Sequence, residues 1–343
     1  MKTVDTTLSK KKLLTGHNSY VMKKAICLIM LTVLVYSCKS DQSKYTPVQK
    51  GPYTVTLLDD GVYDIVDGND SNPCGVHLDE NGEMTGMNNC SDIYLVLGKD
   101  KALLIDLSNS AERITWDTTA TESLQAIVNE RIGKRDLIIT VTHNHGDHTG
   151  MLPAFTDNPD VHFWIPGKEF SRRPIFPEER TTYFAENESL DLGGGVVINT
   201  FEVPGHTAHG TLFFIKDRNI VFSGDALGSG SGVWLFNVEA FGTYMKSIDS
   251  LISYIENPAN NIDTEKLVIY GGHSWQVGNL GTLTSQYIYD MRTLITRIGE
   301  GTAELSPASS QMRFLDTNFK YGTATITWNK EAAEQYADSL KAE

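Results

Sequence analysis

Basic residues are scarce in this chain of 343 residues, which carries 29 Lys and Arg against 43 Asp and Glu. The formal net charge of −14 argues against a protein that binds DNA or RNA through the phosphate backbone, because such binding needs clustered Lys and Arg. Hydrophobic residues still make up 40% of the sequence, an ordinary share for a protein with a buried core. We therefore expect a globular protein with a buried core that binds no nucleic acid.

A membrane-spanning run is also missing near the N-terminus. The apolar stretch of residues 25–38 is only about a dozen residues long at its core, whereas a spanning helix needs about 20. It follows two lysines and ends in Val35–Cys38, which resembles a bacterial lipobox, whose cysteine is lipidated. We expect a lipid anchor at Cys38 that holds the mature protein in the cell envelope of a bacterium; the alternative is an uncleaved anchor helix.

This interpretation divides the chain into three parts. Residues 1–38 are predicted to be an N-terminal extension and lipoprotein signal peptide, in which translation starts at Met1 or Met22. Residues 39–51 are predicted to be a polar tether, and residues 52–343 a single catalytic domain, because no linker or low-complexity segment divides them.

Cysteine is rare as well, with four in the whole chain, and two of these, Cys27 and Cys38, fall in the signal. In an exported chain the other two, Cys74 and Cys90, are expected to form a disulfide; the alternative is two free thiols. Because the loop that they enclose is polar and precedes the candidate ligands, we expect the loss of the bridge to have only local effects.

Apolar runs alternate with helical patterns in two similar halves, which predicts an α/β protein with buried sheets. The predicted strands are Tyr53–Leu58, Asp92–Gly98, Ala102–Leu107, Leu137–Thr142, Val196–Val203, Thr211–Ile215, Asn219–Gly224, Lys266–Gly272 and Ala324–Trp328. The predicted helices are Thr121–Arg131, Val238–Glu256, Leu283–Ile298 and a short amphipathic helix in the tail.

Histidine is the third scarce residue, with nine in the chain, yet three of them lie in the segment THNHGDHTG at residues 142–150. This segment directly follows a predicted buried strand, and open α/β sheets place their ligands at such strand ends. Three later segments have the same form, with a glycine next to a polar residue: PGHT gives His206, SGDA gives Asp225 and GGHS gives His273. Imidazole and carboxylate are good ligands for zinc and other divalent metals, and the set is too large for one tetrahedral ion.

HNHGDH, PGHT, SGDA and GGHS, in this order, resemble the metallo-β-lactamase fold superfamily of metallo-hydrolases, over about residues 53–300. The resemblance implies a four-layer αββα sandwich. It also implies two divalent metal ions, most simply Zn²⁺ with Fe or Mn as alternatives, held by the following residues. The first ion would be bound by His143, His145 and His206, the second by Asp147, His148 and His273, and Asp225 would bridge both. The usual Asp-Thr-Gly of the family is here Asp106-Leu107-Ser108, a departure close to the site.

The implied activity is hydrolysis of an ester, thioester, lactone or related bond of a small-molecule substrate by metal-bound hydroxide, with Asp147 and Asp225 as the catalytic residues. Asp225 points to the glyoxalase II and lactonase branch, because classical zinc β-lactamases have cysteine or serine there. The alternatives are a β-lactam hydrolase, a mononuclear iron dioxygenase of the persulfide type and a metal-binding lipoprotein without activity.

Other conspicuous residues have structural interpretations. We expect His77, His162 and His209 to be buried and bonded to backbone carbonyls. The segment Gly228–Gly232 lacks the lysine of a phosphate-binding loop, so we interpret it as a mobile loop after Asp225. Trp234 and Phe236 either wall the substrate pocket or belong to the core.

Overall fold

Two large mixed β-sheets form the scaffold in a computed structural model that describes residues 46–114, 117–229, 232–277, 282–308 and 314–342. The predicted signal with Cys38, most of the predicted tether and part of Gly228–Gly232 lie outside the described residues. Pro47–Glu343 forms one compact unit. Within the described residues, no helix is both long and apolar enough to cross a membrane.

Twenty strands and seven α-helices are seen in the described residues. The strands are β1 (Val48–Lys50), β2 (Tyr53–Asp59), β3 (Val62–Val66), β4 (Gly75–Leu78), β5 (Met84–Asn88), β6 (Asp92–Leu97), β7 (Lys101–Ile105), β8 (Asp136–Thr140), β9 (His162–Pro166), β10 (Thr181–Phe184), β11 (Ser189–Asp191), β12 (Val197–Glu202), β13 (Thr211–Ile215), β14 (Ile220–Gly224), β15 (Val233–Trp234), β16 (Val268–Gly271), β17 (Leu283–Thr284), β18 (Glu304–Pro307), β19 (Thr317–Tyr321) and β20 (Ala324–Trp328). The helices are α1 (Ala120–Ile132), α2 (Gly146–Thr149), α3 (Pro153–Thr156), α4 (Gly167–Phe170), α5 (Val238–Glu256), α6 (Ser285–Glu300) and α7 (Lys330–Ala342).

The first sheet has the strand order β1-β2-β3-β6-β7-β8-β9-β10 and the second β11-β12-β13-β14-β16-β17. In the first sheet, β7 to β10 run parallel and the remaining pairs are antiparallel. In the second sheet only β14 and β16 are parallel. Strands that run parallel end at the same edge, so the loops after β14 and β16 lie side by side.

Apolar side chains fill three layers of core, and these layers explain the sandwich. One cluster lies between the two sheets, where Val96 and Leu103 of the first sheet join Phe213 and Phe222 of the second. A second cluster packs α1 onto the outer face of the first sheet, and a third packs α5 and α6 onto the second. Each sheet therefore buries one face against its partner and the other against helices. The expected αββα sandwich is confirmed.

The predicted strands and helices are all present, with ends shifted by at most a few residues. Several elements were not predicted, among them β3, β9 and the strands β15, β18 and β19, which form a small sheet with the predicted strand β20. The structure also differs from the predicted tether, because Val48–Lys50 pairs antiparallel with the start of β2. Only Val48 of these three residues is apolar, and its side chain is exposed, so their strand pairing left no hydrophobic alternation in the sequence.

Candidate metal centre

Seven potential ligands converge from four loops at the edge where both large sheets end. The loop after β8 holds His143 and His145 and continues into the one-turn helix α2, which holds Asp147 and His148. The other three are His206 between β12 and β13, Asp225 after β14 and His273 after β16. All seven were singled out from the sequence, and the structure brings all seven together.

The first group consists of His143, His145 and His206, whose ring nitrogens face one another. The Nδ1 atom of His145 lies 3.0 Å from Nε2 of His143 and 3.1 Å from Nε2 of His206. Together with a carboxylate oxygen of Asp225, these atoms lie within 4.8 Å of one another. Three nitrogens converging on one point form the arrangement that a cation needs.

The second group consists of Asp147, His148 and His273, and Asp225 lies between the two groups. Oδ2 of Asp147 is 3.7 Å from Nε2 of His273. The carboxylate of Asp225 is 3.5 Å from Nε2 of His148 and of His273, and also 3.5 Å from Nε2 of His206 in the first group. The seven residues therefore divide as the family resemblance implied.

The second ring nitrogen of four of these histidines is held by a hydrogen-bond partner. The partner atoms are Thr142 Oγ1 for His143 (3.0 Å), Trp234 O for His206 (3.0 Å), Asp106 Oδ2 for His148 (2.9 Å) and Cys90 O for His273 (2.5 Å). Metal-binding histidines almost always have such a partner, because it fixes the tautomer and the ring orientation.

Two further observations show that a cation fits this site. Among the described residues, Nε2 of His148 and Oδ1 of Asp225 are buried polar atoms without a hydrogen-bond partner. A Cβ atom at Gly272 would lie 2.4 Å from Oδ1 of Asp225 and 2.6 Å from the ring of His148, so only glycine leaves room here. Burying unpartnered polar atoms is costly, and a bound cation would compensate for it.

Burial and nearby carboxylates shift the pKa values of the histidines in the two groups in opposite directions. Burial lowers the pKa of His206 to about 4 and that of His143 well below its usual value. Burial also acts to lower the pKa of His273, but the charge of Asp225 outweighs it and raises that pKa to about 9. The pKa of His148 is raised in the same way, because Asp225 and Asp106 together outweigh burial.

Asp106 is the one residue of Asp106-Leu107-Ser108 that keeps the family pattern, and the structure gives it a role. Its carboxylate accepts hydrogen bonds from the backbone N–H of Thr142 (2.6 Å), the Thr142 hydroxyl (2.8 Å) and His148 Nδ1. Its backbone has a φ of 64°, a left-handed conformation that non-glycine residues seldom adopt. Asp106 therefore orients His148, although Leu107 and Ser108 replace the residues that usually follow.

Glu169 is a residue that sequence reasoning missed. This buried carboxylate accepts a hydrogen bond from the backbone N–H of Asn144 (3.1 Å) and another from the backbone N–H of His209 (2.9 Å). Asn144 lies between His143 and His145, and His209 lies three residues after His206. Glu169 thus joins the two loops that supply the first group, and no motif marks it in the sequence.

The bridge between Cys74 and Cys90 is present, with a Cα–Cα distance of 5.4 Å, as favoured for an exported chain. The expectation that its loss would have only local effects stays a prediction, but the polar loop does contact the candidate ligands. The carbonyl of Cys90 contacts His273, and the side-chain amide of Asn89 donates to Asp147 Oδ2 (3.3 Å). The folded chain brings the polar loop back to the ligands that follow it in sequence.

The other histidines are not buried as expected. His162 is exposed, and His77 and His209 are half-buried. His77 does bond to a backbone carbonyl, that of Pro73 (2.7 Å), whereas His209 pairs through Nδ1 with the carboxylate of Glu202 (2.6 Å). All three lie in strands or loops whose side chains reach solvent. The sequence around a single histidine does not show whether its side chain is exposed.

Phe236 is half-buried beside the site, with its ring centroid 5.7 Å from that of His145 and 5.3 Å from that of His206. Trp234 contributes its carbonyl to His206, and its ring lies 6.2 Å from Phe236. This position favours the interpretation that Phe236 forms a wall of the site over the interpretation that it belongs to the core.

Comparison with known proteins agrees with this geometry. Residues 91–262 match the sequence model of the Metallo-beta-lactamase superfamily. Similar proteins include acyl-coenzyme A thioesterase MBLAC2 of Homo sapiens, 26% identical over 228 residues, which cover 58% of this chain and 79% of that protein. Another is hydroxyacylglutathione hydrolase of Glaesserella parasuis serovar 5 (strain SH0165), 29% identical over 147 residues, which cover 41% of this chain and 53% of that protein.

Solved structures share the fold. The metallo-beta-lactamase from Pontibacter korlensis aligns with a TM-score of 0.50 and 16% sequence identity, covering 71% of this chain and 99% of that one. At this identity the likeness concerns the fold alone.

Proposed function

The chain belongs to the metallo-β-lactamase superfamily and is a metallo-hydrolase, and from this premise we propose that it hydrolyses an ester or thioester of a small molecule with two metal ions. The residues proposed to hold the first ion are His143, His145 and His206, and those for the second are Asp147, His148 and His273, with Asp225 shared. Nitrogen and carboxylate donors in this ratio suit Zn²⁺, and elemental analysis distinguishes it from Fe or Mn.

The observation that carries the proposal is the position of Asp225. Its carboxylate lies 3.5 Å from a ring nitrogen of His206 and equally close to ring nitrogens of His148 and His273. A carboxylate between two ligand groups could serve as a ligand to an ion in either group. A mononuclear site, as in the dioxygenase alternative, would leave the buried nitrogen of His148 without a partner.

When bound, two ions would supply an activated water and neutralise negative charge that develops on an oxygen of the substrate. The chain's own residues hold this site in place. Asp106 and the carbonyl of Cys90 fix the rings of His148 and His273, and Phe236 lines the side next to the first group. Because these groups are ordered before substrate binds, little reorganisation accompanies the reaction.

The substrate class rests on relatives and not on geometry. Those described above are a thioesterase and a hydroxyacylglutathione hydrolase, which favours esters and thioesters over β-lactams. The cellular location is a separate proposal. A lipid on Cys38, in the lipobox-like sequence Val35–Cys38, would anchor the protein at the cell envelope. The disulfide supports this setting, because disulfides persist in oxidising compartments.

The test is a hydrolysis screen of the purified protein against acyl thioesters, aryl esters, lactones and a chromogenic cephalosporin, with elemental analysis of the same sample. We expect about two ions per chain and hydrolysis of a thioester or ester. Asp225→Ala should abolish hydrolysis, whereas His162→Ala, at an exposed histidine, should not change it. One ion per chain, or full activity in Asp225→Ala, would contradict the proposal.

A further inference from the structure

The segment Asn89–Cys90 contacts two of the three residues of the second metal group. The carbonyl of Cys90 accepts hydrogen bonds from His273 Nδ1 (2.5 Å) and from Trp275 Nε1 (3.0 Å). The side-chain amide of Asn89 donates to Oδ2 of Asp147. Among the hydrogen bonds of the described residues, none joins this segment to His143, His145 or His206.

The disulfide fixes this segment against the first sheet. Gly68 packs so closely that a Cβ atom there would lie 2.4 Å from Sγ of Cys74 and 2.7 Å from Sγ of Cys90. The carbonyl of Gly68 in turn accepts a hydrogen bond from the hydroxyl of Thr54 in β2 (2.6 Å). The disulfide therefore packs on one side against Gly68, which is bonded to strand β2. On the other side it is connected, through Cys90, to the loop that holds His273.

A buried carboxylate holds the segment from a second direction. Asp67 accepts hydrogen bonds from the backbone N–H of Ser91 (2.6 Å) and from the side-chain amide of Asn109 (2.7 Å). The same amide of Asn109 donates to the carbonyl of Asn89 (2.9 Å). These bonds fix the residues on both sides of Cys90, but the side chain of Cys90 itself is held by the bridge.

From these contacts we propose that the Cys74–Cys90 disulfide is a positioning element for the second metal ion. It holds the Cys90 carbonyl that orients His273 and the Asn89 amide that orients Asp147. Opening the bridge lowers the affinity for the second ion and leaves the first ion in place. This inference rests on the proposed function, because it takes the two metal groups as given.

The magnitude follows from the kind of contact that is loosened. Loss of a partner that orients a metal ligand costs about 10- to 100-fold in metal affinity. The Cys90 carbonyl remains in the chain after the bridge opens, and the bonds of Asp67 to Ser91 and Asn109 still hold its neighbours. We therefore expect the lower part of this range, about 10-fold, for the second ion.

The experiment compares metal binding by five proteins prepared metal-free: wild type, Cys74→Ala/Cys90→Ala, His273→Ala, His145→Ala and Thr85→Ala. Each is titrated with Zn²⁺ against a chromogenic chelator and with Co²⁺ by visible absorption. His273→Ala and His145→Ala give the signatures of a damaged second and a damaged first group. Thr85→Ala is the control, because this exposed residue lies in β5, on the hairpin of β4 and β5 between the two cysteines. Its hydroxyl donates a hydrogen bond to the carbonyl of His77.

We expect the double cysteine variant to keep one ion at wild-type affinity and to bind the other about 10-fold more weakly, with a Co²⁺ spectrum like that of His273→Ala. Thr85→Ala should match wild type. If the double variant does not fold, the wild type is reduced while metal-free, its thiols are alkylated and it is titrated in the same way.

Unchanged affinity for both ions, or a spectrum like that of His145→Ala, would overturn the positioning role while leaving the proposed function standing. A wild type that binds fewer than two ions would overturn the proposed dinuclear site, and this inference with it. The two failures are thus distinguished by the wild-type titration alone.

Discussion

Replacing Glu169 with alanine should destabilise the protein and weaken the first metal ion, because one side chain ties together the two loops that supply it. Its two carboxylate oxygens accept the backbone N–H groups of Asn144 and His209, at 3.1 and 2.9 Å. Alanine removes both acceptors and leaves both donors without a partner. The loops would then lose their common anchor while keeping His143, His145 and His206 unchanged.

The size of the effect follows from these two bonds. A buried donor left unsatisfied costs about 1–3 kcal/mol. Both donors here are only partly buried, so water can reach them, and the lower end of the range applies to each. We expect a loss of about 2 kcal/mol in the free energy of unfolding of the metal-free protein, the sum of about 1 kcal/mol per donor. Metal affinity should fall by about 10- to 100-fold at the first group.

Urea unfolding of the metal-free protein measures the first quantity, and Zn²⁺ titration against a chelator measures the second. Glu202→Ala is the matched control, because Glu202 pairs with the side chains of the same His209 and of Lys168, and among the described residues its side chain accepts no bond from a loop backbone. That half-exposed pair is worth about 0–1 kcal/mol, so its loss should leave metal binding unchanged. Equal effects of Glu169→Ala and Glu202→Ala on both measurements would refute the reasoning.

Three other predictions concern the metal site and the proposed lipid anchor. Asp106→Ala should weaken the second ion by about 10- to 100-fold in a chelator titration, because His148 loses the carboxylate that orients it; an unchanged titration would contradict this role. Acidification from pH 8 to 6 should weaken the second ion more than the first. The pKa of His273 is raised to about 9, so a proton must leave before metal binds, whereas the pKa of His206 is lowered to about 4 and its ring stays neutral. Titrations at both pH values would test this, and equal losses would refute it. Finally, Cys38→Ser should move the protein from the membrane fraction to the soluble fraction with its activity intact; a variant that stays with the membrane would favour the uncleaved anchor.

The ligand loops were predictable because their signal is local. Each of the four segments combines an apolar run, a glycine and a ligand-type residue, and this combination reports both a buried strand and the sharp turn after it. Gly224, for example, has a φ of 47° and lies so close to Thr142 that a Cβ atom would be 2.3 Å from its hydroxyl. Such a position requires glycine, so the local turn determines the residue type that the sequence shows.

The residues that support the ligands were not predictable in this way. Glu169 acts through backbone N–H groups far along the chain, and Cys90 acts through its carbonyl, which every residue has. Val48–Lys50 joins the first sheet although its side chains are mostly exposed, so no hydrophobic pattern marked it. In each of these contacts one partner is a backbone group, which any residue type can provide. The sequence therefore does not show which residues meet.

The two ligand groups are held by separate parts of the chain, and this separation has a consequence for metal loading. Glu169 supports the first group, whereas the disulfide segment and Asp106 support the second. The first group also has histidines that burial keeps neutral, so it can accept an ion without releasing a proton. The histidines of the second group, His148 and His273, must first release the protons that the charge of Asp225 and neighbouring carboxylates stabilises on their rings. Near neutral pH the first group should therefore fill before the second.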